Sequence, residues 1–346
     1  MAKNSVWRLL DDLATKEGIT EIVINAPEKI FVERSGRFLQ LNAKIALGEM
    51  HEFISEVAKF NKRPCDSFHP VLDGLLPDGS RINIILDPVA FSSPAITIRK
   101  YVKKSVGLDN SPQIFGLNSK WTQFLKSIVK AKKNIIVSGG TGVGKTTMLN
   151  LLLNEVTIDS RVIIIEDTME LQVNLPNIVR LEAFGQSAEK GKAMSVRDLV
   201  KNTLRMRPDR IIIGEVRGEE VYDLLQLMNT GHEGSMTSIH ANSPSECLSR
   251  IETLYHLSGH QVPIIAIRSQ IARAIDFIVQ ISRNKNGDRV LSHIYELGNL
   301  EGDKILMSHL AAPDENGQLK YQGVAAMCFD DLVKVGLQAD FFNSKF

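Results

Sequence analysis

The chain has 346 residues, enough for two domains, and its 43% hydrophobic and 23% charged content is ordinary for a folded protein in water. A net charge of +1 provides no global field toward nucleic acid or anionic lipid, and the three cysteines, Cys65, Cys247 and Cys328, show no CxxC spacing, which argues against a disulfide framework or a zinc site. Met1 to Arg8 has no apolar core after Lys3, and no apolar run reaches the length of a membrane span, so the expected compartment is the cytoplasm.

Residues 1–104 read as a small α+β domain. Val6 to Glu17 has helical apolar spacing and stops at Gly18. Glu21 to Asn25 and Lys29 to Arg34 read as strands separated by the turn signal Asn25-Ala26-Pro27, with Ser35-Gly36 as the next turn. Leu47 to Phe60 is a predicted helix, and Arg81 to Leu86 and Ala95 to Arg99 are predicted strands. Residues 105–118, with Gly107, Pro112 and Gly116, read as a linker, and Leu117 to Lys132 as a helix. From 119 to 346 the pattern is α/β. Ile135 to Val137, Arg161 to Ile165, Arg210 to Gly214 and Ser235 to His240 are predicted strands, and Ser195 to Met206 and Glu219 to Thr230 predicted helices. Continuously apolar strands between helices predict a mainly parallel sheet covered on both faces. Residues 183–194 read as a polar loop.

Between the strand at 135 and a helix through Thr147 to Leu152 lies Gly139-Gly140-Thr141-Gly142-Val143-Gly144-Lys145-Thr146. This order of strand, glycine-rich loop and helix is what a phosphate cradle requires. The glycines let backbone N–H groups converge on phosphate oxygens, and the helix N-terminus adds positive potential. Lys145 is expected to reach the β- and γ-phosphates and the Thr146 hydroxyl to ligate Mg²⁺. Residues 139–147 are therefore the predicted nucleotide contacts.

Ligands of such sheets gather beyond the C-terminal strand ends. Three strands end there in polar clusters: Glu166-Asp167-Thr168-Met169-Glu170, Gly214-Glu215-Val216-Arg217, and His240-Ala241-Asn242. A carboxylate in that place can ligate Mg²⁺ or orient the attacking water. Many phosphate-loop enzymes carry an aspartate where this chain has Gly214, so that work falls on glutamates. In Thr230-Gly231-His232-Glu233-Gly234-Ser235, His232 is either a sensor hydrogen-bonded to the γ-phosphate or a surface histidine in a turn.

These residues resemble the secretion ATPases of type II and type IV systems and their pilus relatives, above all the Tad/Flp pilus assembly ATPases. Asp198 to Arg210 running into Gly214 to Gly218 is similar to that group's Walker B region, Asn229 to Asn242 to its histidine box, and Glu166 to Leu171 to its acidic box. Asp78 to Arg81 and Ile96 to Lys100 resemble its N-terminal domain. Relatives usually carry Glu-Thr-Arg where this chain has Glu182-Ala183-Phe184, so the contact of that arginine is not transferred.

The resemblance implies a RecA-like phosphate-loop C-terminal domain that binds ATP and Mg²⁺, with Thr146 and Glu215 on the metal and Glu215 in the Walker B role. It implies that Glu166 or Glu170 polarises water or metal, and that His232 and His240 are the box histidines. Arg81 and Arg99, otherwise ordinary strand-end arginines, would approach the phosphates from the N-terminal domain. It also implies a homo-hexamer at the cytoplasmic face of the inner membrane, held there peripherally by a platform protein. Two other readings compete. A nucleic-acid ring motor would need a basic, aromatic-bearing surface, and at 6% aromatic residues and near-zero charge none is expected. A nucleotide-gated scaffold would bind without turnover, against the full set of Lys145, Thr146 and Glu215.

Overall fold

The computed structural model describes residues 4–16, 18–34, 37–91, 94–100, 107–110, 114–184, 193–314 and 317–343. The turn expected at Ser35-Gly36 and most of the polar loop expected at 183–194 lie outside them. The chain forms two compact units, Met1–Lys104 and Ser105–Phe346.

In the first unit, α1 (Ser5–Ala14) begins at Asn4, whose side chain accepts a hydrogen bond from the Val6 N–H and so satisfies a free helix-end donor. The strands are β1 (Ile19–Ala26), β2 (Lys29–Arg34), β3 (Arg37–Gln40), β4 (Val71–Leu75), β5 (Arg81–Ile85) and β6 (Ala95–Arg99), with α2 (Leu47–Asn61) between β3 and β4. They form one antiparallel sheet in the order β3-β2-β1-β6-β5-β4. One face is apolar: Ile22, Ile24, Ile82, Ile84, Ile96 and Ile98 pack against Val6, Leu10 and Leu13 of α1 and Phe53, Ile54 and Val57 of α2. The period-2 pleat sends the intervening residues to the other face. There Arg99 lies in register with Arg81 on one side and Glu21 on the other. The Asp78-Gly79-Ser80 signature builds the turn before β5: Asp78 accepts from the Ser80 N–H and hydroxyl, and Gly79 has φ +87°.

In the second unit the stretch read as a linker contributes Leu108, Phe115 and Leu117 to the core. Helix α3 (Ser119–Lys130), capped by Asn118, starts later than its apolar pattern, because the Asn118 side chain accepts from the Trp121 N–H. Then follow β7 (Ile135–Gly139), α4 (Lys145–Leu153), β8 (Val162–Glu166), β9 (Ile178–Glu182), α5 (Val196–Thr203), β10 (Arg210–Val216), α6 (Glu220–Asn229), β11 (Met236–His240), α7 (Pro244–Leu257), α8 (Ile264–Ala274) and β12 (Phe277–Arg283). The chain ends with β13 (Arg289–Glu301), β14 (Lys304–Pro313), β15 (Leu319–Tyr321) and α9 (Phe329–Lys334). The nine strands form one sheet in the order β15-β14-β13-β12-β7-β11-β10-β8-β9. From β12 to β9 every pair is parallel, and β13, β14 and β15 extend the sheet antiparallel.

Both faces of the parallel part are covered. Ile135, Val137, Val162, Ile164 and Ile212 pack beneath α3 and α4, where Trp121, Phe124, Phe277 and Phe341 form an aromatic cluster. Ile136, Ile163, Ile165, Ile211 and Ile213 pack under α5, α6, α7 and α8. This explains why β7, β8 and β10 read as unbroken apolar runs.

Candidate functional site

The glycine-rich loop leaves the C-terminal end of β7, and two of its glycines, Gly139 and Gly144, are set by space. A Cβ on Gly139 would lie 2.7 Å from both the Ile281 carbonyl oxygen and Val143 Cγ2. Gly144 has φ +103°, and its Cβ would meet the Phe115 ring at 3.2 Å. Gly144 is also the N-cap of α4 and brings no capping side chain, so the first-turn N–H groups face outward toward an anion. The Lys145 ammonium bonds the Gly140 carbonyl at 3.0 Å, across the cradle, and lies 4.0 Å from Glu215 Oε1. Burial lowers the Lys145 pKa, while the Glu215 carboxylate acts in the opposite direction. Arg283 on β12 holds the loop from outside through the Gly142 carbonyl at 3.1 Å.

The acidic groups converge on the same strand ends. Between Ile213 and Val216 the β10–β11 register slips by one residue, a bulge at Gly214-Glu215. A bulge re-aims the side chain it carries, and here it accompanies a Glu215 that reaches Lys145. Glu215 Oε2 is held by Arg217, whose Nε donates at 2.8 Å and whose Nη2 makes a second, shorter contact. Arg217 also lies 3.8 Å from Asp167, and the bond to Glu215 raises its pKa. Its backbone N–H is fixed by Glu220.

Glu166, at the end of β8, is 5% exposed. Its Oε1 accepts the backbone N–H groups of Glu170 at 2.9 Å and Leu171 at 3.0 Å. Burial raises its pKa against those two bonds. Glu170 is half-buried on the following turn, and its charge acts on both Lys145 and Arg217. Thr146, in the first turn of α4, and Glu215, 4.0 Å from Lys145, carry hard oxygen atoms. That set suits Mg²⁺, which keeps waters and phosphate oxygens for its remaining positions.

The two histidines separate. In register His240 lies opposite Gly139, and its Nδ1 is 3.4 Å from the Thr141 hydroxyl. His232 does not join it. Its carbonyl accepts the Ser235 hydroxyl at 2.8 Å, and the Ser235 carbonyl receives the N–H of Ile135, the first residue of β7. His232 therefore sits where the parallel strands begin, and the five residues of β7 put roughly 15 Å between that edge and the loop. This corrects the sensor expectation: in its own subunit His232 does not reach the γ-phosphate position. Arg81 and Arg99 belong to the first unit, paired side by side across β5 and β6. On its other side Arg99 is in register with Glu21 of β1.

Arg180, Ser238 and Asn150 complete the site and were not singled out from the sequence, whereas Arg217 stood in the polar cluster after Gly214 and is ion-paired with Glu215. Arg180 Nη2 bonds the Leu171 carbonyl at 2.7 Å, Asn150 on α4 accepts the Gln172 N–H at 2.7 Å, and Ser238 donates to the Gly214 carbonyl at 2.7 Å. Only an assignment of β9 as a strand beside β8 would have exposed Arg180.

A parallel sheet whose central strand feeds a glycine cradle, with a lysine in the cradle and glutamates at the ends of β10 and β8 beyond β11, defines a RecA-like phosphate-loop nucleoside triphosphatase. The model of the type II/IV secretion system protein family matches residues 6–308, and the chain belongs to that family. A putative conjugal transfer protein of Mycobacterium tuberculosis is 33% identical over 301 residues, covering 85% of each chain. The type IV secretion system protein PtlH of Bordetella pertussis is 30% identical over 295 residues, 78% of this chain and 87% of the relative. Among solved structures, the ATPase DotB of Legionella pneumophila shares the fold with a TM-score of 0.61 at 19% identity, over 91% of this chain and 82% of that one.

Proposed function

We propose that the protein is a hexameric ATPase that converts Mg-ATP hydrolysis into domain movement and drives a type IV secretion or pilus machine, in our reading of the Tad/Flp kind. The observation that carries this is the approach of Lys145 to Glu215, with Glu170 acting on the same lysine. The 139–146 amides and Lys145 bind the phosphates, and Lys145 offsets charge that develops on the bridging oxygen. Glu215 and Thr146 would hold Mg²⁺, which would supply charge neutralisation to the phosphates; in the ligand-free chain the Glu215 carboxylate is held by Arg217. Glu170 accepts the proton of the attacking water as the bond from the γ-phosphorus to the bridging oxygen breaks and ADP leaves.

The ring works at the cytoplasmic face of the inner membrane through an integral platform protein; no helix among the described residues is long and apolar enough to cross the bilayer itself. Affinity capture of the tagged full chain from detergent-solubilised membranes tests this. An integral inner-membrane protein retained with the chain is expected. Hydrolysis stimulated by single-stranded DNA, with no membrane partner retained, would favour a nucleic-acid motor instead.

A further inference from the structure

The acidic turn contains two glutamates, and their surroundings differ. Glu166 is enclosed, with one carboxylate oxygen spent on the N–H groups of Glu170 and Leu171. Its Oε2 has no hydrogen-bond partner among the described residues, although Arg180 lies 3.8 Å away. Glu170 is the one whose charge is felt at Lys145 and Arg217.

The neighbouring strand makes room for this arrangement. Ile213 pairs with Ile165, so Gly214 is level with Glu166, and a Cβ on Gly214 would lie 2.9 Å from Glu166 Cγ. The contact is to the middle of a buried side chain, so a methyl group there cannot be accommodated by moving a flexible tip. Gly214 is itself pinned by Ser238 on β11. On the far side the turn is tied down by Arg180 from β9 and by Asn150 from α4, the helix that carries Lys145. A line of contacts thus runs from β11 through Gly214 and Glu166 into the backbone of Glu170 to Gln172.

We propose that Glu166 is a positioning residue rather than the base: its carboxylate oxygen holds the turn that presents Glu170, and Gly214 is the clearance that admits its side chain. The inference rests on Glu170 being the base in the proposed hydrolysis. It also gives a physical reason for glycine where many phosphate-loop enzymes have an aspartate. Any side chain at 214 would expel Glu166 from its place on the turn.

Acceptance of the two N–H groups needs an oxygen, not a charge. Glutamine supplies that oxygen with the same shape, and alanine does not. Steady-state phosphate release by the full chain is therefore expected to show Glu166→Ala losing about 10–100-fold in kcat, the cost of a base misplaced by about an ångström, with KM for ATP little changed. Glu166→Gln restores turnover to within about threefold of the natural chain, whereas Glu170→Gln loses about 10²-fold or more. Gly214→Ala lowers kcat in the natural background but adds little to Glu166→Ala, because the side chain it strikes is gone; neighbouring residues that share one contact are non-additive in this way. Glu166→Gln as inactive as Glu170→Gln, or additive losses in the double variant, would overturn the positioning role. Glu170→Gln with undiminished turnover would instead remove the base reading on which it rests.

Discussion

Glu215→Gln is expected to bind Mg-ATP as tightly as the natural chain and to hydrolyse it about 10²–10³-fold more slowly. The bulge at Gly214-Glu215 accompanies a carboxylate 4.0 Å from Lys145, and Arg217 holds its other oxygen. Glutamine keeps the size and the acceptor oxygen but removes the negative charge that balances Lys145, Arg217 and the metal. Phosphate binding rests on the loop amides and Lys145, which the substitution leaves in place. Fluorescent-nucleotide titration and phosphate release on one preparation separate the two effects. Equal loss of both would mean that Glu215 shapes the cradle itself, and unchanged turnover would move the metal work elsewhere.

Gly234→Ala is expected to destabilise the second unit by about 3 kcal/mol or more, although it is remote from the nucleotide. Gly234 has φ +79°, which costs a residue with a Cβ roughly 1 kcal/mol. The added Cβ would also lie 2.5 Å from Arg210 Nη1 and 3.2 Å from the Lys132 Cα. Arg210 cannot yield cheaply. It is fully buried, its guanidinium bonds the Val129 carbonyl at 2.9 Å and the Gly234 carbonyl at 3.4 Å, and burial pushes its pKa down to about 10. Val129 lies in the last turn of α3, where the helix dipole favours a cation. Displacing Arg210 leaves buried polar groups unpaired, at about 1–3 kcal/mol each. The melting temperature of the ligand-free unit should fall by roughly 6–12 °C. Gly231→Ala, with φ +96° but nothing within 4 Å of the new Cβ, should cost only the backbone term. Equal losses at the two positions would show that the Arg210 packing is not what fixes this turn.

The glycine cradle and the order of strands around it were legible because both depend on local sequence. Ile135 to Val137, Val162 to Ile165 and Ile211 to Ile213 are apolar without a break, as strands buried on both faces must be. His232 was misplaced because a glycine-flanked polar loop does not reveal at which end of the strands it lies. The residues of β11 lie between the two histidines and leave them at opposite ends of that strand. Asn229 to Ser235 thus contains a turn in which Gly231 and Gly234 both have positive φ and Gly234 also makes room for the buried Arg210.

Other features were hidden for different reasons. Half-exposed strand β9 lacks the apolar signature of its neighbours, and with it Arg180 was lost. The antiparallel extension β13 to β15 mixes buried and exposed positions and carries none of the phosphate-loop chemistry that drew attention elsewhere. Residues 105–118 have linker composition, yet Leu108, Phe115 and Leu117 bury themselves in the core. Gly214 was noticed as an unusual residue, but its reason lies on the adjacent strand, in the Glu166 side chain.

The cradle at Gly139 to Thr146 and the strand-end glutamates are arranged as a working hydrolase. Phosphate release by the purified full chain with Mg-ATP, set against Lys145→Ala prepared in the same way, decides whether they act as one. The arrangement predicts saturable, Mg²⁺-dependent turnover that the lysine substitution abolishes. Release from the natural chain no greater than from Lys145→Ala would contradict it.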